Sequence, residues 1–223
     1  MTRQLAFELA HRPALGREDF LVAPSNEAAV AQIDAWPDWP ASAFWLSGPA
    51  GSGKTHLAEV WNQMSGARFV EADVLRLHGV ENLLKERALI MENIGSLDDE
   101  AERALFHLLN GLREEGGSLL LTARQPVGHM RVRLPDLASR LRALPHAELG
   151  APDDALLSGV LVKLFDDRQL QVPEALIPYL ASRIERSVAA ARDIVDGLDK
   201  ASLSGKRPVN VKLASEILKD RTG

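Results

Sequence analysis

The sequence contains no cysteine, which excludes disulfide bonds and metal sites built from thiolates. Its 31 acidic residues outnumber its 26 basic ones, so no overall charge attracts it to nucleic acid or to an anionic membrane. No apolar run approaches the ~20 residues that span a bilayer. The N-terminal segment MTRQLAFELAHRP also lacks the apolar core of a signal peptide. We therefore expect a cytoplasmic protein that makes no membrane contact.

What the sequence does contain is a series of short apolar segments alternating with helical patterns. Five segments bounded by turn residues predict buried strands: 42–48, 67–72, 87–92, 118–123 and, more weakly, 143–149. Strands that are apolar throughout predict a parallel sheet covered on both faces by helices. We expect an N-terminal arm at 1–19, an α/β domain with a five-stranded parallel sheet at 20–150, and a small all-helical domain at 151–223.

One helix of the α/β domain has clear signals at both ends. Ser96 is predicted to cap its N-terminus, and the acidic residues at 98–100 suit the positive end of the helix dipole. Gly116 and Gly117 are predicted to end it.

The segment GPAGSGKT has the G-x-x-x-x-G-K-[ST] spacing of a phosphate-binding loop, and it lies between a predicted strand and a predicted helix. Its glycines allow backbone N–H groups to turn toward phosphate oxygens, while Lys54 neutralises the β- and γ-phosphates and Thr55 ligates Mg²⁺. The alternative is a glycine-rich turn that matches by chance. The predicted nucleotide-binding residues are Gly48, Pro49, Ala50, Gly51, Ser52, Gly53, Lys54, Thr55 and His56.

The segment RALIMEN predicts a buried strand that ends in Glu92 and Asn93. A further strand precedes it, which favours the additional-strand ATPases over nucleotide kinases and small GTPases. In such ATPases the first acid orients Mg²⁺ through water and the second polarises the attacking water. Glu92 fits the first role, but Asn93 cannot accept a proton, so we expect weak or absent intrinsic hydrolysis. The alternative is a strand end without a catalytic role.

Several segments together resemble the AAA+ domain of the bacterial replication initiator DnaA. They are GPAGSGKTHL (48–57), FHLLNGLREEGGSLLLTARQP (106–126), LPDLASRL (134–141), LQVPEALIPYLASRI (170–184) and VNVKLASEILKD (209–220). The resemblance runs from about residue 20 to the end and implies a P-loop AAA+ fold, with ADP or ATP and Mg²⁺ as cofactors. The sequence shows neither the initiator's N-terminal interaction domain nor its DNA-reading helix-turn-helix. The segment between residues 69 and 94 also looks too short for its extra helical insertion.

These differences make the chain similar to the Hda group of DnaA-related regulators. Such proteins bind ADP, attach to the DNA polymerase III sliding clamp and stimulate ATP hydrolysis on DnaA. The resemblance implies that Arg140 is an arginine finger acting in trans on DnaA; an ordinary exposed arginine is the alternative.

The resemblance also implies that Phe20, Val22 and Asn26 border the adenine. Packing under the sheet edge is the alternative for the first two, and helix capping for Asn26.

Two positions depart from the family pattern. The family's first polar sensor falls on Arg124, which would change how the γ-phosphate region is read and would favour ADP. The second sensor arginine falls on Ala189, with Arg192 one helical turn later and Arg186 one turn earlier as substitutes. Both departures weaken the case for intrinsic hydrolysis.

The N-terminal segment QLAFEL (4–9) resembles the short peptides that dock into the sliding clamp. Gln4 would meet a polar subsite, while Leu5, Phe7 and Leu9 would fill an apolar groove. The alternative is a frayed terminus or a strand added to the sheet edge. Clamp attachment would associate the protein with the nucleoid.

The leading hypothesis is a DnaA-related regulator with DnaA and the sliding clamp as partners. The alternatives are a self-contained ATPase or loader acting on DNA, and a tethered DnaA relative that only blocks DnaA assembly. The leading hypothesis also allows a homo-oligomer formed through the face of Arg140, which would hide the finger. We expect no sequence-specific DNA binding, although a cluster of arginines could contact phosphates: Arg131, Arg133, Arg140 and Arg142.

Overall fold

The computed structural model describes residues 16–72, 75, 79–205 and 207–220. Five strands form one parallel sheet with the order β2-β3-β4-β1-β5. The strands are β1 (Ala43–Ser47), β2 (Arg68–Val70), β3 (Ala88–Met91), β4 (Ser118–Ala123) and β5 (His146–Glu148). Because β4 lies between β1 and β3, the strand before the phosphate loop and the acidic strand are not neighbours. The sheet predicted from the apolar segments is confirmed.

Helices cover both faces of the sheet and then continue alone. The first part contains α1 (Glu27–Asp34), α2 (Lys54–Ser65), α3 (Gly79–Leu83), α4 (Asp99–Glu115) and α5 (Pro135–Arg142), with single 3₁₀ turns at Arg17–Asp19 and Val127–His129. After β5 follow α6 (Asp154–Asp167), α7 (Leu176–Ala181), α8 (Val188–Gly205) and α9 (Val211–Asp220). No helix within the described residues is long and apolar enough to cross a membrane.

The core has two layers because successive side chains of a strand point to opposite faces. In β1, Trp45 joins α4 and α5 on one face, while Phe44 and Leu46 join α1 and α2 on the other. All five residues of β1 are buried, as expected for a strand covered on both sides. A third cluster belongs to α6–α9 alone and includes Leu157, Leu161, Phe165, Leu180, Ile194 and Leu198.

The start of α4 differs from the prediction that Ser96 caps it. The N-cap is Asp98, whose carboxylate accepts a hydrogen bond from the N–H of Ala101 at 2.9 Å. After β3 the chain stays tied to β4, because Ile94 donates its N–H to the carbonyl oxygen of Thr122 at 2.8 Å. The helix therefore begins two residues later. It ends at Glu115, directly before the predicted stop Gly116, whose φ of 72° is left-handed.

Candidate nucleotide-binding site

The predicted phosphate loop leaves the carboxyl end of β1, beside the carboxyl ends of β3 and β4. Gly48 donates its N–H to the carbonyl oxygen of Ala123 at 3.2 Å, which joins the first residue of the loop to the end of β4. Gly53 has a φ of 101° and serves as the N-cap of α2. This left-handed conformation favours glycine and lets the loop turn directly into the helix. The free N–H groups at the start of α2 then face the mouth of the loop.

Lys54 lies inside the loop rather than in solvent. Its side chain is buried, and its ammonium group donates hydrogen bonds to the carbonyl oxygens of Gly48 at 2.8 Å and Pro49 at 2.7 Å. Burial lowers the pKa of Lys54, the charge of Arg124 lowers it further, and the charge of Glu92 opposes both effects. A desolvated cation of this kind is stabilised by an anion that enters the loop.

Thr55 and Glu92 are brought together across the loop helix and the acidic strand. The hydroxyl group of Thr55 donates a hydrogen bond to Oε1 of Glu92 at 2.8 Å. Hydroxyl and carboxylate oxygens are the donors that Mg²⁺ prefers. The pair assigned to the metal from the sequence is therefore adjacent, and its chemistry fits a magnesium ion bound with nucleotide phosphates.

Asn93 has a left-handed backbone, with a φ of 52°. Asparagine tolerates this conformation better than most residues. Its N–H donates to the hydroxyl group of Thr122 at 3.0 Å, while its exposed side chain lines a cavity at the end of the sheet. Thr122 is a supporting residue that the sequence reasoning missed. The sequence feature that could have revealed it is a hydroxyl side chain near the end of a mostly apolar strand.

Of the residues assigned to the adenine, Phe20 lies beside the end of the loop, 3.9 Å from a Cβ atom built on Gly53. Phe20 is buried against α2, and its ring stands edge-on to that of His56 with centroids 4.9 Å apart. Asn26 occupies the N-cap position of α1 without making a capping bond. It accepts from the N–H of Ala23 at 2.8 Å and donates to the carbonyl oxygen of Leu21 at 2.9 Å. Asn26 thus fixes the turn that carries Val22, whose side chain is 49% exposed.

His56 lies on α2, where the charges of Lys163 in α6 and Arg192 in α8 reach its ring. Its Nε2 atom is buried without a hydrogen-bond partner in the part of the chain that the structure describes. Burial lowers the pKa of His56, and the charge of Arg192 lowers it further.

Nearby, Lys163 of α6 forms ion pairs with Asp19 at 2.8 Å and Asp167 at 2.9 Å. Lys163 ties α6 to the segment before Phe20, a contact that no local pattern could have predicted.

The N-terminus of α8 contacts the phosphate loop directly. Val188 donates its N–H to the carbonyl oxygen of Gly51 at 2.8 Å. A Cβ atom built on Gly51 would lie 2.6 Å from Cβ of Ser187 and 3.3 Å from Cβ of Ala189. Ala189 therefore lies at the loop, where the resemblance placed the second sensor, and brings no charge there.

The two arginines named as substitutes for that sensor have different surroundings. Arg186 forms an ion pair with Asp154 at 2.9 Å. Arg192 is half-buried, and its charge acts on His56 of the loop helix. Of the two, Arg192 is the one placed beside the candidate site.

Arg140 lies apart from the phosphate loop, in the last turn of α5. The helix packs with α4 in the core layer opposite to α2. The Cζ atom of Arg140 lies 5.5 Å from the centroid of the Phe106 ring, a cation–π contact that orients the guanidinium group. The proposed clamp-binding residues Gln4, Leu5, Phe7 and Leu9 lie outside the described residues.

The sheet order, the phosphate loop after β1 and the acidic strand on the far side of β4 define the AAA+ fold of P-loop proteins. Domain III of the replication initiation protein DnaA from Thermotoga maritima matches with a TM-score of 0.80 and 20% identity, covering 94% of this chain and 97% of that one. AMPPCP-bound DnaA from Aquifex aeolicus matches with a TM-score of 0.73 and 18% identity, covering 88% and 68%. The Holliday junction branch migration motor RuvB from Thermotoga maritima matches with a TM-score of 0.71 and 15% identity, covering 92% and 71%. The chain thus has the AAA+ fold of DnaA domain III.

The relatives found by sequence agree with this fold. An uncharacterized protein from Haemophilus influenzae is 29% identical over 191 residues, which cover 78% of this chain and 80% of that protein. The chromosomal replication initiator protein DnaA from Clavibacter sepedonicus is 23% identical over 232 residues, which cover 93% of this chain and 49% of that protein. The chain therefore spans about half the length of this DnaA relative. No protein-family model matches the chain.

Proposed function

We propose that this protein is a DnaA-related, nucleotide-binding regulator of replication initiation that promotes ATP hydrolysis on DnaA rather than on itself. The observation that carries the proposal is the unequal pair at the end of β3. Glu92 is hydrogen-bonded to Thr55 at the phosphate loop, whereas the next position holds the neutral side chain of Asn93. The chain has groups that would hold a nucleotide but lacks the second acid that would activate water.

The bound cofactor in this proposal is ADP or ATP with Mg²⁺. Backbone N–H groups of the loop and the ammonium group of Lys54 would hold the phosphates, and Thr55 and Glu92 would orient the metal. When bound, the metal neutralises charge on the phosphate oxygens. Phe20 and Val22 would border the base. AMPPCP in the DnaA from Aquifex aeolicus supports a nucleotide in this fold.

Arg140 is the residue that would act on the partner. Among the described residues it forms no ion pair with a carboxylate, and its guanidinium group is held over the Phe106 ring at the surface of α5. An arginine supplied by a neighbouring protein stabilises the negative charge that develops during phosphoryl transfer. The catalytic groups for one reaction would thus be divided between two proteins.

The test measures hydrolysis of DnaA-bound ATP with the sliding clamp loaded on DNA, with and without this protein. The wild-type protein should accelerate hydrolysis, and omission of the clamp should remove the effect if docking on the clamp is required. An arginine finger contributes on the order of 10³-fold or more, so Arg140→Ala should lose most of the stimulation while binding nucleotide normally.

Arg103→Ala is the matched control, because Arg103 is an exposed arginine on α4 and its removal changes the net charge equally. It should retain stimulation. Equal stimulation by wild-type protein and Arg140→Ala would exclude the finger. Rapid turnover by the isolated protein, lost in Glu92→Gln, would instead support the alternative of a self-contained ATPase.

A further inference from the structure

The segment that carries Phe20 is attached to both α1 and α6. The guanidinium group of Arg17 forms an ion pair with Asp34 of α1 at 2.8 Å. The ammonium group of Lys163 in α6 forms an ion pair with Asp19 at 2.8 Å. Phe20 belongs to the core layer of α1 and α2, whereas α6 belongs to the separate cluster of α6–α9. A residue assigned to the adenine is therefore held from two hydrophobic cores.

The face of α6 that meets this segment includes a glycine. Gly159 lies one helical turn before Lys163, so the two residues share a face of the helix. A Cβ atom built on Gly159 would lie 3.3 Å from Cδ1 of Leu21, which is closer than ordinary van der Waals contact. Asp19 precedes Phe20 and Leu21 follows it. α6 therefore approaches the segment on both sides of Phe20, and glycine at position 159 permits this approach.

The ion pair between Lys163 and Asp19 is more sheltered than the one that attaches the segment to α1. The side chains of Lys163 and Asp19 are 23% and 21% exposed, against 40% and 36% for Arg17 and Asp34. Asp167, one helical turn after Lys163, accepts a hydrogen bond from the same ammonium group at 2.9 Å and helps to direct it. The hydrogen bond from Lys163 is the largest cause of the lowered pKa of Asp19. A sheltered pair is screened less by solvent, so it constrains the segment more strongly than a surface pair does.

The ion pair acts on the position of the Phe20 ring because Asp19 is the preceding residue. The ring stands edge-on to that of His56 on α2, with centroids 4.9 Å apart. It also lies 3.9 Å from a Cβ atom built on Gly53, the last residue before α2. The phosphate loop has its own attachment to the end of β4. Loss of the ion pair would therefore release the ring from the loop helix and leave the phosphate loop in place.

We propose that Lys163 is a positioning residue of the nucleotide site, which through Asp19 holds Phe20 against α2, where the ring borders the nucleoside part of the ligand. This inference rests on the nucleotide binding of the proposed function and adds a role for α6. The ligand is an adenosine diphosphate or triphosphate, and the part affected is the nucleoside rather than the phosphates. Affinity for the nucleotide thus depends on the attachment of the C-terminal helices to the segment before α1.

The experiment measures dissociation constants of the whole chain for ADP by calorimetry. Lys163→Met removes the charge and keeps an unbranched side chain. It should weaken ADP binding on the order of tenfold, the equivalent of one hydrogen bond to a charged group. Asp19→Asn breaks the pair from the other side and should also weaken binding. Lys163→Arg keeps the charge and should retain most of the affinity.

A double-mutant cycle with Phe20→Leu tests whether Lys163 acts through the ring. Phe20→Leu keeps an apolar side chain but removes the ring, and it should weaken ADP binding about fivefold. Because Lys163→Met displaces the same ring, the double variant should lose little more than the weaker-binding single variant. Independent effects would instead multiply to a loss on the order of fiftyfold.

Lys200→Met is the control, because Lys200 is exposed on α8 and its replacement makes the same change of charge. It should bind ADP as wild type does. Urea denaturation shows whether each variant is folded under the conditions of the calorimetry. If Lys163→Met is not, Asp19→Asn takes its place in the cycle.

The outcomes separate this inference from the proposed function. Unchanged ADP affinity of folded Lys163→Met, or losses that multiply in the double variant, overturn the positioning role and leave nucleotide binding intact. Absence of ADP binding by the wild-type protein overturns both. A coupled cycle without any stimulation of hydrolysis on DnaA overturns the proposed regulatory role alone.

Discussion

The carboxylate of Glu102 accepts a hydrogen bond from the backbone N–H of Leu134 at 2.7 Å. Both of its oxygens also lie 3.0 Å from the N–H of Arg133. Glu102 is 1% exposed. It holds the chain at the start of α5, where the N-cap residue Leu134 has no side-chain group that could cap the helix. One helical turn further along α4, Phe106 lies beneath Arg140. A single face of α4 therefore supports both ends of α5.

Replacement of Glu102 by glutamine should destabilise the protein. The amide NH₂ group cannot accept a hydrogen bond, so buried N–H groups lose an acceptor, which costs about 1–3 kcal/mol in the free energy of unfolding. Urea denaturation measures this difference. Glu114→Gln removes the same charge at an exposed position of α4 and should change stability by less than about 0.5 kcal/mol. Equal midpoints for the two variants would contradict the anchoring role of Glu102.

Gly51 and Gly66 form a matched pair for testing the contact between α8 and the phosphate loop. Their φ values are 73° and 68°, so alanine at either position adopts a left-handed conformation that costs about 1–2 kcal/mol. A Cβ atom at Gly66 meets nothing within 4 Å, whereas at Gly51 it meets Ser187 at 2.6 Å. Gly51→Ala should therefore be the less stable variant.

Hydrogen exchange at the amide of Val188 measures the same contact locally. The amide donates to Gly51, so its exchange should accelerate in Gly51→Ala and remain slow in Gly66→Ala. Equal protection in both variants would mean that the loop accommodates the methyl group without displacing α8.

His56 should make the stability of the protein depend on pH. Burial, and then the charge of Arg192, lower the pKa of His56 in the folded state from its ordinary value of 6.5. The unfolded chain therefore binds the proton first as pH falls. The contribution of His56 is complete above 6.5 and decreases as pH falls through that value toward the lower folded-state pKa.

The variant His56→Phe keeps a ring beside Phe20 but cannot titrate. Its free energy of unfolding should decrease less than that of the wild-type protein as pH is lowered from about 7 to about 5. His107→Gln alters an exposed histidine on α4 and should retain the wild-type slope. Parallel slopes for wild type and His56→Phe over this interval would show that another group is responsible.

Local patterns predicted the elements whose signals lie within a few residues of each other. The strand at 118–123 follows two glycines and has three consecutive leucines, and the structure has it at Ser118–Ala123. The start of α4 was missed by two residues because Ser96 and Asp98 can both cap a helix. The choice between them depends on the hydrogen bond from Ile94, after β3, to Thr122 of β4, a contact that local spacing does not report.

The supporting contacts of the candidate site depend on residues far apart in the chain. In the sequence, Glu102 looks like an ordinary polar position of an amphipathic helix. Its hydrogen bonds come from the backbone N–H groups of Arg133 and Leu134, which lie much later in the chain. Lys163 of α6 meets Asp19, which precedes the whole sheet in the chain. The phosphate loop could be predicted because its chemistry lies in consecutive residues, whereas these partners could not.

The hydrogen bond from Val188 to Gly51 joins two main-chain atoms, so it does not depend on which side chain either residue carries. Substitution of residue 189 alone should therefore leave α8 attached to the phosphate loop. Alanine and arginine at that position would differ in the charge presented to a nucleotide while sharing the same attachment. A substitution at residue 189 would thus change the charge beside the loop without moving the helix.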